Sequence, residues 1–319
     1  MTTLSSKLAP QIESYLELRR AFGRSLDHAK TLYLFDRFCL ENYPELNCLS
    51  KEVVRGWISD EIASGRGGLE NKVSGIRMFA KYLGGDAYVA PMNVIPKKQR
   101  YTPYILTDAE LAAFFREVET VKGHRDWFLR LGASVLWRLL YTCGLRPREG
   151  RLIKCNDICF ETGEILISKA KRSKERIIVM SGDMLELCRV YNVKRAVFAK
   201  GCEYFFINKS GKPFDANHLF YLFRESWREA NPGTPLHLLP NLRQYDLRHR
   251  FASTVLQKWL DEGKNLYAML PYLRAYMGHE RFEDTAYYIH ILPENLLKSP
   301  GVDWDALDST VPEVGIWEN

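Results

Sequence analysis

The sequence predicts a mainly α-helical protein with a small antiparallel β-sheet, an α+β fold built from two domains. Its 319 residues suit two domains, since one domain usually has about 100–200 residues. Apolar residues recur at helical spacing through most of the chain. The segments Glu164–Ile167 and Arg176–Met180 are short β-branched runs joined by a polar connection, as in a β-hairpin.

The first domain is predicted to consist of helices. The clearest one covers Asn71–Leu83, where Ser74 is a candidate N-cap and the following glycine pair ends the helix. Within it, Arg77 and Lys81 are four residues apart and therefore lie side by side on one face.

A polar, proline-rich segment at 91–103 is predicted to link the two domains. It contains three prolines and the basic cluster Lys97, Lys98 and Arg100. These cations suit a phosphate backbone, and they equally suit a solvated linker. The predicted boundaries are 1–90 for the first domain, 104–300 for the second and 301–319 for a tail.

Charge is distributed unevenly along the chain. The sequence has 45 basic and 39 acidic residues, a net charge of +6. The tail holds five of the acidic residues and no basic one, which leaves 45 basic against 34 acidic residues, or +11, in residues 1–300. A basic body and an acidic tail predict a polyanionic partner such as a nucleic acid, although a modest positive charge also serves solubility alone.

Several classes of protein are excluded by composition. A hydrophobic fraction of 46% argues against disorder. The absence of a run of about 18 apolar residues argues against a membrane span, and the first residues carry no secretion signal, which predicts a cytoplasmic protein. Seven scattered cysteines argue against a disulfide framework. Cys155 and Cys159 lack a second ligand pair for zinc, and no ATP-binding loop or two-metal carboxylate cluster is found, so no metal or cofactor is predicted.

The second domain is predicted to begin with a helix that Thr107 caps. The hairpin follows, and its connection, Ser168–Glu175, is rich in lysine and arginine. Tyr204–Ile207 is a candidate third strand. After it the chain returns to helix at Ala216–Ala230 and Leu247–Leu260.

Two basic patterns in this domain are candidate anion sites. Arg146 precedes Pro147 at a predicted helix entrance, where free N–H groups favour an anion. The hairpin connection carries Lys171, which a rigid turn could bring to a phosphate. Each pattern also has an ordinary interpretation, a surface arginine at a turn and a charged, soluble hairpin tip.

Two further patterns combine basic and aromatic residues. Tyr245 and Arg248 are three residues apart and share a helical face, as ordinary polar residues at a helix start also do. His279 and Tyr288 are nine residues apart, so on one unbroken helix they would face opposite ways. They can meet only if the segment bends, and Glu283–Thr285 suits the start of a new helix. The alternative is that Tyr288 is simply a buried aromatic residue.

In this order and spacing, the four patterns together resemble the tyrosine recombinase (phage integrase) family. The resemblance extends in register from Thr107 to Leu297. The matching positions are Gly144–Arg146 with Glu149, Lys171 in a Lys-x-x-Lys-x-Arg pattern, Leu247–His249, Gly278–His279, and Thr285 with Tyr288. The resemblance implies a helical, SAM-like core-binding domain followed by the family's catalytic domain, and it looks closest to transposon-borne recombinases.

The resemblance implies a chemistry of DNA cleavage and rejoining through a covalent 3′-phosphotyrosyl intermediate, with Tyr288 as the nucleophile. It also implies that Arg146 and Arg248 bind the non-bridging phosphate oxygens. The implied general acid is Lys171, which would protonate the leaving 5′ oxygen. His279 would contact the phosphate or orient the nucleophile.

Other positions complete the implied site. The family usually has a histidine where this chain has Tyr245, whose phenol can donate to a phosphate but is a poor base near neutral pH. Without that base, the proton of the nucleophile would have to pass to water or to another group. Glu149 and His249 are expected to support the phosphate contacts. The expected DNA contacts are Arg77, Lys81, Lys97, Lys98, Arg100, Lys174 and Arg176.

The implied partner is double-stranded DNA with a specific target site, bound by a homotetramer, either alone or together with a second recombinase. The implied role is the integration, excision or transposition of a mobile element by a nucleoid-associated enzyme. One alternative is a type IB topoisomerase-like enzyme that relaxes DNA. Another is a catalytically impaired DNA-binding or architectural protein, for which Tyr245 is the hint and against which the intact Arg146, Arg248 and Tyr288 argue.

Overall fold

The structure is a computed structural model that describes residues 4–65, 67–95, 101–120, 127–168 and 175–289. The chain divides into two compact units, Met1–Tyr101 and Thr102–Asn319. This division falls within the segment that the sequence predicts as a linker. Each unit has a hydrophobic core of its own, as separate domains do.

Four α-helices form the described part of the first unit. They are α1 (Ala9–Ala21), α2 (Ala29–Asn42), α3 (Lys51–Ala63) and α4 (Leu69–Leu83). Helix α4 contacts the other three. Phe35, Trp57 and Phe79 are fully buried between the helices, and the rings of Phe35 and Trp57 meet edge to face at 5.5 Å between centroids. This packing supplies the stability that short helices lack on their own.

Helix α4 begins earlier than the sequence predicts. It starts at Leu69, directly after Gly68 in the left-handed conformation (φ +81°). Ser74 therefore lies inside the helix, and the prediction that it is the N-cap is wrong. Val73 is buried and Leu69 packs against the core, so burial decides where this helix begins rather than the local capping preference. The predicted end at Gly84 is confirmed.

The described part of the second unit contains eight α-helices and two paired β-strands. The elements are α5 (Asp108–Glu119), α6 (Trp127–Thr142), α7 (Pro147–Arg151), β1 (Glu164–Ile167), β2 (Arg176–Val179), α8 (Gly182–Ala196), α9 (Ala216–Glu229), α10 (Gln244–Asp261), α11 (Leu266–Met277) and α12 (Glu283–Ala286). Helix α6 contacts α5, α8 and α10 and is central to the core. The predicted cap of α5 is confirmed, since Thr107 accepts from the backbone N–H of Glu110 and the Glu110 carboxylate accepts in return.

The sheet has two strands in the part of the chain that the structure describes. Strands β1 and β2 pair antiparallel, with Ile167 opposite Arg176. The prediction of a third strand at Tyr204–Ile207 is wrong, because that segment forms only isolated bridges. The guanidinium of Arg195 donates to the carbonyls of its first two residues, so these acceptors are engaged by a side chain instead of a neighbouring strand.

Helices α10, α11 and α12 form a smaller core in which Leu256, Met277 and Tyr288 are buried together. Helix α11 ends at Gly278, which is left-handed (φ +66°). The new helix α12 begins before Tyr288, so the bend predicted between His279 and Tyr288 is confirmed. None of the described helices has the length and apolar character needed to cross a membrane.

Candidate active site

A tight turn places Arg146 at the entrance of α7. Gly144 is left-handed (φ +61°), and a Cβ on it would lie 2.4 Å from the ring of Phe251, so the turn requires glycine. Pro147 is the first residue of the helix. The carboxylate of Glu149 accepts from the backbone N–H of Arg146 (3.0 Å) and from its Nη1 (2.7 Å). The turn and the carboxylate together hold the guanidinium in place.

Arg248, on α10, is completely buried, with 0% of its surface exposed. Its Nη1 donates to the carbonyl of Gly144. Its Nη2 donates to the carbonyl of Met277 (2.8 Å) and to Nε2 of His279 (2.8 Å). Its Nε has no hydrogen-bond partner among the residues that the structure describes. A buried guanidinium with a spare donor suits an anionic ligand.

His279 is held between an arginine and a threonine. Because Arg248 can only donate, Nε2 of His279 is the acceptor, and Nδ1–H therefore donates to Oγ1 of Thr285 at 2.8 Å. Burial lowers the pKa of His279 to about 3, and the charges of Arg248 and Arg146 add to this effect. The imidazole is therefore neutral at physiological pH.

Tyr288 lies directly beside His279. Its side chain is 2% exposed, and its ring is nearly parallel to the imidazole, at 13° and 5.9 Å between centroids. Burial raises the pKa of Tyr288 to about 12, although the charge of Arg248 opposes the shift. The phenol is protonated at neutral pH, so it has to pass its proton to another group when it acts as a nucleophile.

The imidazole of His249, on α10, lies close to Tyr288. The ring centroid of His249 is 5.4 Å from that of Tyr288 and 5.1 Å from that of Tyr245. Burial lowers the pKa of His249 to about 4, and Arg243 and Arg248 contribute to the shift. Its buried Nδ1 has no partner within the described ranges. A neutral imidazole therefore lies next to the candidate nucleophile.

Tyr245 lies beside the first arginine of the site. Burial lowers the pKa of Arg146, but the carboxylate of Glu149 and, after it, the phenol of Tyr245 more than compensate, and the pKa is raised overall. Tyr245 also interacts electrostatically with Arg248. The residue that replaces the family's usual histidine therefore lies near both arginines.

Arg176 lies in the interior of this site, whereas the sequence predicts a DNA contact. Its side chain is 8% exposed. Its Nη2 and Nη1 donate to Oε2 (2.7 Å) and Oε1 (3.2 Å) of Glu149, and its Nε donates to the carbonyl of Tyr276 (2.9 Å). This geometry argues against the predicted DNA contact, because all three nitrogens are engaged inside the protein. Glu149, which is expected to support the phosphate contacts, forms ion pairs with both Arg146 and Arg176.

The remaining predicted residues are placed as follows. Arg77 is half-buried and Lys81 is exposed, both on α4 of the first unit, and their DNA contacts stay predictions. Five predicted residues lie outside the described part of the chain: Lys97, Lys98, Arg100, Lys171 and Lys174.

A basic groove opens beside Tyr245. It has a volume of about 470 Å³ and is lined by residues of α7, α9 and the start of α10. Its charged lining residues are Arg148, Arg151, Arg224 and Arg243. The guanidinium of Arg224 lies 5.6 Å from the ring centroid of Phe220, which is half exposed. Such a surface suits a phosphate backbone.

The sequence patterns miss the contacts of two residues in the site. Thr285 matches the family pattern together with Tyr288, but the sequence assigns it no role, and in the structure it holds the ring of His279. Arg176 sits in a basic run that indicates exposure. Both contacts join residues that the chain brings together only on folding, so no local signal marks them. Within the described residues, no group of His, Cys, Asp and Glu side chains suits a metal ion.

The sequence matches a known protein family over most of the second unit. Residues 106–295 fit the Phage integrase family. The Sinorhizobium fredii protein y4rE is named as an integrase/recombinase by inference. It is 29% identical over 300 residues, which cover 91% of this chain and 93% of that protein. Tyrosine recombinase XerC of Staphylococcus saprophyticus is 26% identical over 304 residues, 90% of this chain and 94% of that protein.

Solved structures share the fold. The Tn1549 transposon integrase in complex with transposon right end DNA has a TM-score of 0.64 at 15% identity, over 87% of this chain and 94% of that chain. The XerH site-specific recombinase bound to palindromic difH substrate has a TM-score of 0.63 at 16% identity, over 87% of this chain and 79% of that chain.

Proposed function

Because this chain belongs to the phage integrase family, we propose that it is a site-specific DNA recombinase that integrates, excises or transposes a mobile element. Enzymes of this family cleave and rejoin DNA strands. One observation carries the assignment of the site: four separate elements bring the implied residues into one cluster. The members of that cluster are Arg146, Arg248, His279 and Tyr288.

The proposed reaction is an ester exchange at a DNA phosphate. Oη of Tyr288 attacks the phosphorus, and a bond forms between them while the bond from phosphorus to the 5′ oxygen breaks. Tyr288 gives up its proton to water, and the 5′ oxygen gains one, in our proposal from Lys171. The products are a 3′-phosphotyrosyl bond and a free 5′-hydroxyl. Attack by a 5′-hydroxyl of the partner duplex reverses these steps, so rejoining needs no ATP.

The two arginines stabilise the charge that develops on the phosphate. Each guanidinium keeps its positive charge at any working pH and presents several donors in a fixed plane. Arg248 brings its unengaged Nε, and Arg146 lies at the more open side of the site, where 28% of its side chain is exposed. Loss of one preorganised donor of this kind typically costs about 10²–10³ in rate.

The proposed partner is duplex DNA, which suits the basic groove beside Tyr245 and the net charge of the body. Exchange between two duplexes requires four strand cleavages, and we propose four protomers on DNA to supply them. The acidic tail carries apolar residues, Trp304, Ile316 and Trp317, that suit docking on a neighbouring protomer. The likeness to a transposon integrase fold supports a mobile element as the substrate.

Covalent capture tests this function directly. The protein is purified from its host cells under denaturing conditions, and attached DNA is sequenced. We expect DNA with the wild-type protein and none with Tyr288→Phe, which removes only the nucleophilic oxygen. The matched control is Tyr287→Phe, which removes the neighbouring hydroxyl and should retain attached DNA. Loss of the adduct in Tyr287→Phe but not in Tyr288→Phe would refute the assignment of the nucleophile.

A further inference from the structure

We propose that Arg176 is a positioning residue for DNA cleavage, which holds Glu149 and the end of α11 so that Arg146 and His279 face the phosphate. The inference rests on the proposed function. It assigns a positioning role to an arginine that the sequence predicts only as a DNA contact. Three independent features of the structure support it.

The first feature is the bidentate ion pair between Arg176 and Glu149. Both side chains are nearly buried, with 8% and 6% exposed. The two oxygens of Glu149 each accept from Arg176, at 2.7 and 3.2 Å, and each also accepts from Arg146. One carboxylate is therefore shared by two guanidinium groups, and the cluster keeps a net positive charge.

This sharing determines how much of the charge of Arg146 is available for a phosphate. With Arg176 present, Glu149 neutralises neither arginine completely. Without Arg176, the buried carboxylate would have Arg146 as its remaining close partner and would draw that guanidinium toward itself. Arg176 therefore maintains the positive field at Arg146 without touching the phosphate.

The second feature is the end of α11, where three consecutive carbonyls each accept from a different arginine. Tyr276 accepts from Arg176 (2.9 Å). The next two carbonyls, of Met277 and Gly278, accept from Arg248 (2.8 Å) and Arg146 (2.9 Å). These carbonyls lack partners within the helix and form the negative end of its dipole, so cations stabilise them.

Two of these three arginines are the proposed phosphate ligands. When they turn donors toward DNA, their hold on α11 weakens, whereas Arg176 faces the interior and keeps its contact. His279 follows Gly278 directly, so the orientation of its ring depends on this helix end. Arg176 is the contact that remains in place throughout the reaction.

The third feature is the close packing of Arg176 over Gly278. A Cβ on Gly278 would lie 3.0 Å from Nη1 of Arg176 and 3.3 Å from its Cδ and Cζ. The left-handed conformation of Gly278 turns the chain toward His279 at this point. The side chain of Arg176 therefore packs against the turn at Gly278 and limits the positions that this turn, which precedes His279, can take.

The test compares Arg176→Gln and Arg176→Lys with the wild type on a nicked suicide substrate. We expect Arg176→Gln to lower the single-turnover rate of adduct formation by about 10–100-fold, as small misplacements of reacting groups do, with unchanged Kd for DNA. Lysine keeps the charge but lacks the planar guanidinium that makes a bidentate contact. The rate of adduct formation in Arg176→Lys should therefore fall between those of Arg176→Gln and the wild type. The matched control is Arg189→Gln, an arginine that pairs with Glu186 on the surface, and it should cleave normally.

Two outcomes on this substrate would overturn the proposal. One is cleavage by Arg176→Gln at the wild-type rate. The other is a weaker Kd with a smaller salt dependence, which would make Arg176 a DNA contact. If Arg176→Gln fails to fold, Arg176→Lys decides by the same criteria. The variants Glu149→Gln and Glu149→Gln/Arg176→Gln, measured beside Arg176→Gln, complete a double-mutant cycle. Losses that multiply independently would contradict action through Glu149.

A further measurement separates this proposal from the proposed function. The amides of Gly278 and His279 donate to Ala275 and Arg274 at the end of α11. We expect faster hydrogen exchange at these two amides in Arg176→Gln than in the wild type or in Arg189→Gln. Unchanged exchange would contradict the positioning role even if the wild type forms no adduct. A wild type without adduct but with this exchange effect would refute the proposed function alone.

Discussion

Tyr288 and its immediate neighbours define the chemistry at the scale of single residues. The phenol is buried and its pKa is raised to about 12, so removal of its proton is a main energetic requirement of the proposed cleavage. His279 has both ring nitrogens engaged, whereas Nδ1 of His249 has no partner in the described structure. The site therefore has two arginines that can bind the phosphate, whereas the group that accepts the proton of Tyr288 is not evident from the contacts.

Substitution of Tyr245 tests whether the missing histidine limits the enzyme. Tyr245 lies near Arg146 and Arg248, where an imidazole could donate to the phosphate and also accept a proton. We expect Tyr245→His to leave the single-turnover cleavage rate unchanged or to raise it, by up to about 100-fold, the lower end of acid–base effects. Tyr245→Phe, which has no hydroxyl, is the control. A large loss in Tyr245→His would mean that the phenol has a specific role.

The two histidines of the site make stability depend on pH. Burial and neighbouring arginines lower the pKa of His279 to about 3 and that of His249 to about 4, below the value of about 6.5 in an unfolded chain. The unfolded chain therefore binds more protons between these values, and stability is lost as the pH falls through this window. We expect the urea midpoint to decrease from pH 7 to pH 5, with a shallower slope in His279→Gln. An identical slope would contradict the depressed pKa of His279.

The residues of the site could be predicted from the sequence better than their contacts. Arg146, Arg248 and Tyr288 are recognisable because their neighbours and spacing form local patterns. The roles of Arg176 and Thr285 depend on contacts between elements that are distant in sequence, for example from β2 to α7. A basic run next to a hairpin tip indicates solvent exposure by composition, and only the fold turns one of its arginines inward.

At the scale of elements, the break between α11 and α12 is the feature that brings His279 and Tyr288 together. Nine residues of continuous helix would separate the two side chains. Gly278 ends α11 in the left-handed conformation, and the carbonyls before it bind arginines. The sequence predicts this break because one unbroken helix would place His279 and Tyr288 on opposite faces, where they could not share a site.

Replacement of Gly278 tests this break. Alanine at a left-handed position costs roughly 1–2 kcal/mol, and at Gly278 the added Cβ would also press on Arg176. The matched control is Gly263→Ala, at a left-handed glycine (φ +68°) with open space around it. We expect Gly278→Ala to lose more stability, by about 1 kcal/mol or more, and to cleave more slowly. Equal losses in urea unfolding, with normal cleavage in both variants, would contradict the close packing.

Local sequence signals predicted the elements only where tertiary contacts agree with them. The cap at Thr107 and the stop at Gly84 are such cases. Local signals fail at two places. The start of α4 is decided by the packing of Leu69 against the core, and the structure of Tyr204–Ile207 is decided by the contacts of Arg195. Neither interaction can be seen in a window of the sequence.

At the scale of the whole molecule, the separation of charge between body and tail is the main electrostatic feature. The net charge changes from +6 to +11 when residues 301–319 are left out. Composition predicts the polyanionic partner, since the counterions released from DNA favour a basic body. It does not identify the target sequence, which depends on side chains at the bases.

Deletion of residues 301–319 should separate binding from assembly. The truncated protein has five fewer acidic residues, so we expect a single protomer to bind DNA more tightly and with a steeper salt dependence. Loss of Trp304, Ile316 and Trp317 should weaken assembly of the proposed tetramer on DNA, measured by light scattering of the complex. Unchanged assembly would remove the docking role of the tail.

The most direct test of the central claim is to identify the residue that carries the DNA. The adduct is trapped on a nicked suicide substrate, digested with protease and nuclease, and the modified peptide is sequenced by mass spectrometry. We expect a nucleotide attached to Tyr288, beside His279 and Arg248. A nucleotide on Tyr287, or on any other residue, would contradict the proposed site.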